Sequence, residues 1–200
     1  MTDFVYLASQ SPRRRQLLEQ LGVRHELLLA DAGEDAESLE LALPNEAPAG
    51  YVRRVTGLKL DAAIARMKRR GLAPAPVLCS DTTVALGRVI YGKPADAKDA
   101  CRMLVQLSGT THRVLTAVAV QRASHRFEAL STSRVSFETM TLAAIRRYVA
   151  TGEPMGKAGA YAVQGRAALH MTCISGSYSG IMGLPLRETA QLLRSAGIRI

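Results

Sequence analysis

Tryptophan is absent from this chain, and aromatic residues make up only 4% of its 200 positions, as three Phe and six scattered Tyr. That scarcity weighs against a single-stranded nucleic-acid binder, which needs aromatic faces for base stacking. Cysteine is scarce too. Cys79, Cys101 and Cys173 are odd in number, far apart and without a C-x-x-C pair, which argues against a disulfide framework and a zinc site. They are expected as buried thiols. His25, His112, His125 and His170 lack H-E-x-x-H spacing and no G-x-S-x-G accompanies them, so metalloprotease and serine-hydrolase readings lose their support. No run approaches the roughly 20 apolar residues that a membrane span needs, and the first residues carry no signal-peptide pattern. The expected compartment is the cytoplasm. Neither low-complexity linkers nor an internal repeat divides residues 1–200, and length alone permits one domain or two small lobes.

Positive charge and apolar content are abundant. An apolar fraction of 48% is enough for one substantial core. The net charge of +9 favours anionic partners and keeps a non-catalytic, basic nucleic-acid module in play. Part of that excess lies in stretches such as Lys68, Arg69 and Arg70, where a solvated helix end is the expected state.

Periodicity gives an α/β chain. Residues 4–8 read as a strand, and Leu17, Leu18 and Leu21 put an apolar stripe on the helix that follows and ends at Gly22. A second strand is expected at 25–30, then an acidic loop, then a long helix over about 47–70 with Val55, Leu58, Ala62 and Ala65 at helical spacing. "VLCSDTTVALGRVIYGKP" reads as a buried strand, a polar break at 80–83 and a hairpin near Gly87-Arg88. A helix at 96–107, strands at 113–121 and 126–138 and a helix at 141–150 come next. Glycine-rich turns precede a last helix that starts at Pro185.

The candidate chemistry lies in the polar breaks. "LASQSPRRRQLL" puts Arg13, Arg14 and Arg15 in a first helical turn, where each cation costs roughly 0.3–1 kcal/mol. With Ser9, Ser11 and exposed backbone N–H groups, the guanidinium forks can converge on phosphate oxygens. A Ser-Pro cap followed by solvated arginines is the alternative. Asp81 follows an apolar strand, where a carboxylate can bind Mg²⁺ or take a proton from water, or simply form a turn or a helix cap. Lys93, in Gly-Lys-Pro, has a restricted backbone that could aim its ammonium at phosphate. Lys59 and Lys157 allow the same reading or a snorkelling one. In the acidic loop, Glu34, Asp35, Glu37 and Glu40 offer a second metal-binding carboxylate or a solvated surface.

Taken together and in order, LASQSPRRRQLL, SDTTVALGRVIYGKPADAKDACRMLVQLSGTTHRVLT, GEPMGKAGAYAVQG and GSYSGIMGLPLRET closely resemble the Maf family of nucleoside triphosphate pyrophosphatases. The resemblance implies a two-lobed α/β fold with a mixed twisted sheet, flanking helices and a central cleft. It also implies a homodimer, and hydrolysis of a nucleoside triphosphate to monophosphate and pyrophosphate with a divalent cation, Mg²⁺ or Mn²⁺. By motif position it makes Asp81 the catalytic proton acceptor and places Ser9, Arg13, Arg14, Lys59 and Lys93 on the phosphates. Around Lys59, "VTGLKLDAA" departs from the more usual R-L-A-x-x-K-A. The metal-binding carboxylates implied are Asp81 and an acidic residue after the second strand, which falls on Glu34 or Asp35 with Glu34 preferred. Arg13, Thr82 and Gln164 match the branch that acts on dTTP and UTP rather than the sister branch acting on 7-methyl-GTP. A glutamine amide can both donate to and accept from a pyrimidine edge, which a carboxylate cannot. An inosine-triphosphate-type pyrophosphatase is the enzymatic rival.

Overall fold

The computed structural model of the chain describes residues 3–31, 33–34 and 38–200. Asp35 and Glu37 of the acidic loop lie outside the described residues. The core of the fold is a seven-stranded mixed sheet in the order β2-β1-β3-β5-β6-β7, with β4 beside β3. β1 (Phe4–Leu7) pairs in parallel with β2 (Arg24–Leu27) and, over only two residues, with β3 (Val77–Leu86). The long strands β5 (Thr111–Arg122) and β6 (His125–Phe137) run antiparallel to their neighbours, and β7 (Met171–Ser175) closes one edge.

A gap in this sheet makes the cleft. β5 occupies one edge of β3 from Val77 to Ala85, so β1 and β4 (Val89–Tyr91) must share the other. β1 reaches only Leu78, and β4 begins to pair only at Val84. Between them residues 79–83 of β3 have no strand partner on that edge among the described residues.

The helices sort the sheet into two lobes. α2 (Pro48–Arg69) covers one face along its length, packing Val52 and Val55 near Ala85 and Leu115, and Leu60 and Ala63 near Cys79 and Ala119. On the other face, α1 (Pro12–Gln20) and α6 (Leu186–Ser195) pack over Leu78, Val118 and Val120. Further along the same face, α3 (Ala97–Leu107) and α4 (Leu142–Val149) pack over Val84, Val114 and Val135. The seam between these two clusters carries the small hydroxyl residues Ser80, Thr82, Thr116, Ser131 and Ser133, covered by the short helix α5 (Tyr178–Met182). Capping is local and legible: Ser11, Asp96 and Thr141 each accept a backbone N–H three residues on, and Pro12 fills the first position of α1.

Several sequence expectations are corrected. The polar run 80–83 is no break: β3 continues through it because β5 supplies every backbone partner on its intact edge. β2 stops at Leu27, since β1 ends at Leu7 and offers nothing further to pair with. The buried stripe of α2 runs through Val52, Val55, Thr56, Ala63 and Arg66, while Leu58 is exposed. β7 forms within the glycine-rich region, where the sequence predicts only turns. Pro185 caps α6 instead of starting it. Cys79 is buried as expected, but Cys101 is partly exposed and Cys173 sits exposed on the edge strand β7. Arg69 and Arg70 are ion-paired to the acidic loop, with Arg69 reaching Asp31 and Glu34 and Arg70 reaching Asp31.

Candidate active site

The gap beside β3 opens into a cleft of about 760 Å³. Ser9, Arg13, Arg14, Glu34, Lys59, Asp81, Thr82, Lys93 and Gln164 all line it. Residues from the first loop, the acidic loop, α2, β3, the hairpin and the segment before β7 are thus brought to one place.

Alternation along β3 divides the roles. Asp81 and Thr83 face α2, whereas Ser80 and Thr82 face the lobe seam. Asp81, only 7% exposed, meets Lys59 of α2, with Nζ 2.6 Å from Oδ1. Lys59 also donates to Glu40 at 2.7 Å, and Lys93 donates to both oxygens of Glu40 at 3.0 and 2.9 Å. Burial by itself disfavours the Lys59 ammonium, but Asp81 and Glu40 outweigh it and hold its pKa above the ordinary lysine value. For Glu40, burial is again opposed, here by Lys59 and Lys93, and the carboxyl stays below the usual range. The result is an alternating row of charges, Asp81, Lys59, Glu40, Lys93, along one wall.

The opposite wall answers for the arginines. Arg14 donates from Nε to the Gly183 carbonyl at 2.9 Å and from Nη1 to Ser9 Oγ at 3.3 Å. Burial lowers its pKa, with Asp81 partly countering. Ser9 Oγ also accepts the Ser11 N–H at 3.1 Å, so its own proton remains free to donate into the cleft. Arg13 is half-buried beside it and makes no hydrogen bond or ion pair to any described residue. Arg15 turns outward and pairs with Glu19. Gly183 sits at φ 117°, a left-handed conformation that a glycine adopts without strain, and presents its carbonyl to both Arg14 and Ser80. Lys157 reaches the cleft as well, but its ammonium donates to the Glu153 and Met155 carbonyls.

The two acidic-loop carboxylates differ in what holds them. Glu34 is forked onto Arg66, whose side chain is buried in α2, and also accepts from Arg69 at 2.5 Å. Glu40 instead shares Lys59 with Asp81. Two residues along β3 from Asp81, the buried Thr83 Oγ1 lacks any hydrogen-bond partner among the described residues. Among those residues no group of three or more His, Cys, Asp or Glu side chains gathers as a metal cage. Two carboxylates and an orphaned hydroxyl suit a cation of the Mg²⁺ type, which keeps several waters and takes its remaining ligands from substrate phosphates.

A family model described as Maf-like protein matches residues 4–196. The chain belongs to the Maf family. It is 69% identical over 200 residues, all of both chains, to a protein of Albidiferax ferrireducens named dTTP/UTP pyrophosphatase. A protein of the same name from Polaromonas sp. is 71% identical, over 99% of this chain and 98% of that one. One from Cupriavidus metallidurans is 64% identical over 99% of each. A solved nucleoside-triphosphatase / dITP/XTP pyrophosphatase from Mycobacterium abscessus overlaps 66% of this chain and 73% of its own at 15% identity and a TM-score of 0.42, too slight a likeness to carry an argument.

For this Maf chain, residue-by-residue reading passed over Thr116 and Arg66. Thr116 is one hydroxyl inside the apolar run "VLTAVAV", and Arg66 is one of several cations near the end of a long helix. Neither has a local signal. Only strand register and the fold of the acidic loop give them partners.

Proposed function

We propose that this protein hydrolyses the α–β phosphoanhydride bond of dTTP and UTP, releasing pyrophosphate and the nucleoside monophosphate. The observation that carries the reading is the convergence of Arg13, Arg14, Lys59 and Lys93 on one cleft that also holds a nearly buried aspartate. Attack of water on the α phosphate builds negative charge on the phosphate oxygens and the leaving pyrophosphate, and fixed cations stabilise that charge. The Arg13 guanidinium has no partner among the described residues to give up, and Ser9 has a proton to donate. Lys59 holds Oδ1 of Asp81, which leaves Oδ2 to orient a water and take its proton.

A divalent cation, Mg²⁺ or Mn²⁺, when bound supplies charge neutralisation on the phosphates and activation of water. Asp81 and Glu40 would hold it, since they already lie on either side of Lys59. Glu34 lines the same cleft and would join them only by leaving Arg66. Pyrimidine selection falls to Arg13, Thr82 and Gln164. An exposed Gln164 amide can meet both a carbonyl and an N–H of the base edge. The homodimer and the cytoplasmic setting belong to the same reading. No helix among the described residues is long and apolar enough to cross a membrane.

Product analysis tests the reaction. Incubation of dTTP with the protein and Mg²⁺ should give dTMP and pyrophosphate in equal amounts. Formation of dTDP and orthophosphate would overturn α–β cleavage, and metal-independent, steeply salt-sensitive duplex binding without turnover would favour the basic-module reading.

A further inference from the structure

At the lobe seam the hydroxyl protons can be assigned by elimination. Thr116 Oγ1 lies 2.7 Å from the carbonyl oxygen of Gly180, which can only accept. Thr116 must therefore donate its single proton there. Thr82 Oγ1 lies 3.0 Å from Thr116 Oγ1, whose proton is already used, so Thr82 must donate to Thr116. Thr116 is 1% exposed, which leaves no water to compete for its bond to Gly180, and Thr82, half-buried at the cleft wall, has Thr116 Oγ1 as its side-chain partner among the described residues. The Thr82 oxygen, at the cleft wall, consequently presents only lone pairs to whatever lies in the cleft.

An oxygen so fixed repels phosphate oxygens and base carbonyls, and it attracts N–H or O–H groups. Thymine and uracil share a ring N–H at N3. Cytosine has a lone pair at that position. We propose that Thr82 Oγ1 accepts the N3–H of the substrate base, and that Thr116 and the Gly180 carbonyl act as a positioning relay that makes Thr82 an obligate acceptor. Thymine and uracil are then accepted and cytosine meets an acceptor facing an acceptor. The glycine at 180 belongs to the device: a Cβ there would lie 3.0 Å from Ser131 Oγ and 3.1 Å from the Ser177 side chain, so a larger residue would push α5 and its carbonyl away from Thr116. The inference rests on the proposed pyrimidine triphosphate reading.

The experiment measures kcat/KM on UTP, CTP and N3-methyl-UTP for the wild type and for Thr116→Val and Thr116→Ser. Wild type should prefer UTP over both other nucleotides by about tenfold or more, the scale of one hydrogen bond and its unpaired counterpart. In Thr116→Val the Thr82 proton is released and can point at cytosine N3. The UTP/CTP ratio should fall by about tenfold, with an absolute rise on CTP that a merely structural defect cannot produce. Thr116→Ser keeps the relay and should keep the wild-type ratio. Equal use of UTP and N3-methyl-UTP by the wild type overturns the proposal even if Thr116→Val fails to fold. So does an unchanged UTP/CTP ratio in folded Thr116→Val. Failure of the wild type on UTP itself would instead overturn the pyrimidine reading.

Discussion

The Lys59 ammonium stands 2.6 Å from Asp81 Oδ1, joining the middle of the long helix α2 to the one stretch of β3 that lacks a strand partner on its cleft edge. This pair fixes the carboxylate that the proposed reaction uses to position a water. Asp81→Asn keeps the shape but loses the proton acceptor and a charged ligand. kcat on dTTP should fall by roughly 10²-fold or more, with the thermal midpoint little changed. Steady-state kinetics beside a melting curve checks it, and wild-type kcat in the folded variant would remove Asp81 from the chemistry.

Cations in the cleft should matter far more than equally exposed cations elsewhere. Arg13→Ala and Lys93→Ala should each lower kcat/KM on dTTP by tenfold or more, because each removes a cation from the proposed phosphate site. Arg102→Ala, on the outer face of α3 and paired with Asp99, should change it less than twofold. Equal small effects at all three positions would mean that the phosphates bind elsewhere.

Glu40 separates two roles. As a carboxylate that holds the cation with Asp81, its replacement in Glu40→Gln should raise the Mg²⁺ concentration for half-maximal activity by about tenfold and lower kcat. As a mere occupant of Lys59 and Lys93, its loss would lower KM for dTTP and leave the Mg²⁺ dependence unchanged. A metal titration at saturating dTTP reads the difference, and the first outcome is expected.

The fold and the site were legible to different depths. Asp81 stands out as a carboxylate after an apolar run, and the helix caps at Ser11, Asp96 and Thr141 follow from local chemistry. That Asp81 lies in mid-strand does not, because its open edge depends on where β1 ends and where β4 begins, far apart in sequence. The apolar stripe expected on α2 was drawn through Leu58 because hydrophobic spacing discounts lysine and arginine. The buried face instead carries Arg66, with Lys59 beside it, each neutralised by carboxylates from other segments. The acidic-loop residues are indistinguishable for the same reason: Glu34 and Glu40 look alike in sequence, and only the folded loop pairs one with Arg66 and the other with Lys59.

His112 gives the fold a pH dependence. It is buried between Phe137 and Tyr161, with Nε2 2.8 Å from the Tyr161 hydroxyl, and burial lowers its pKa from 6.5 to about 4. The unfolded chain takes up a proton near pH 6.5 that the folded chain resists, so stability is full above that pH and is lost as pH falls toward 4. The loss should reach up to roughly 3 kcal/mol at 1.36 kcal/mol per pKa unit. Denaturant midpoints from pH 7 to 4 should fall more steeply for the wild type than for His112→Gln, which cannot titrate. Parallel curves would place the acid sensitivity in other groups.

This cleft is expected to select dTTP and UTP and to cleave them at the α–β bond. The most direct measurement is kcat/KM for pyrophosphate release from dTTP, UTP, CTP, ATP, GTP, ITP and 7-methyl-GTP, with Mg²⁺ and again with chelator, on wild type and Gln164→Glu. Metal-dependent release is expected with dTTP and UTP ahead of every other nucleotide, and Gln164→Glu should erode that lead by about 2- to 10-fold, the scale of one hydrogen bond made by an exposed amide. A wild-type preference for ITP, GTP or 7-methyl-GTP, or no pyrophosphate from dTTP at all, would contradict this expectation.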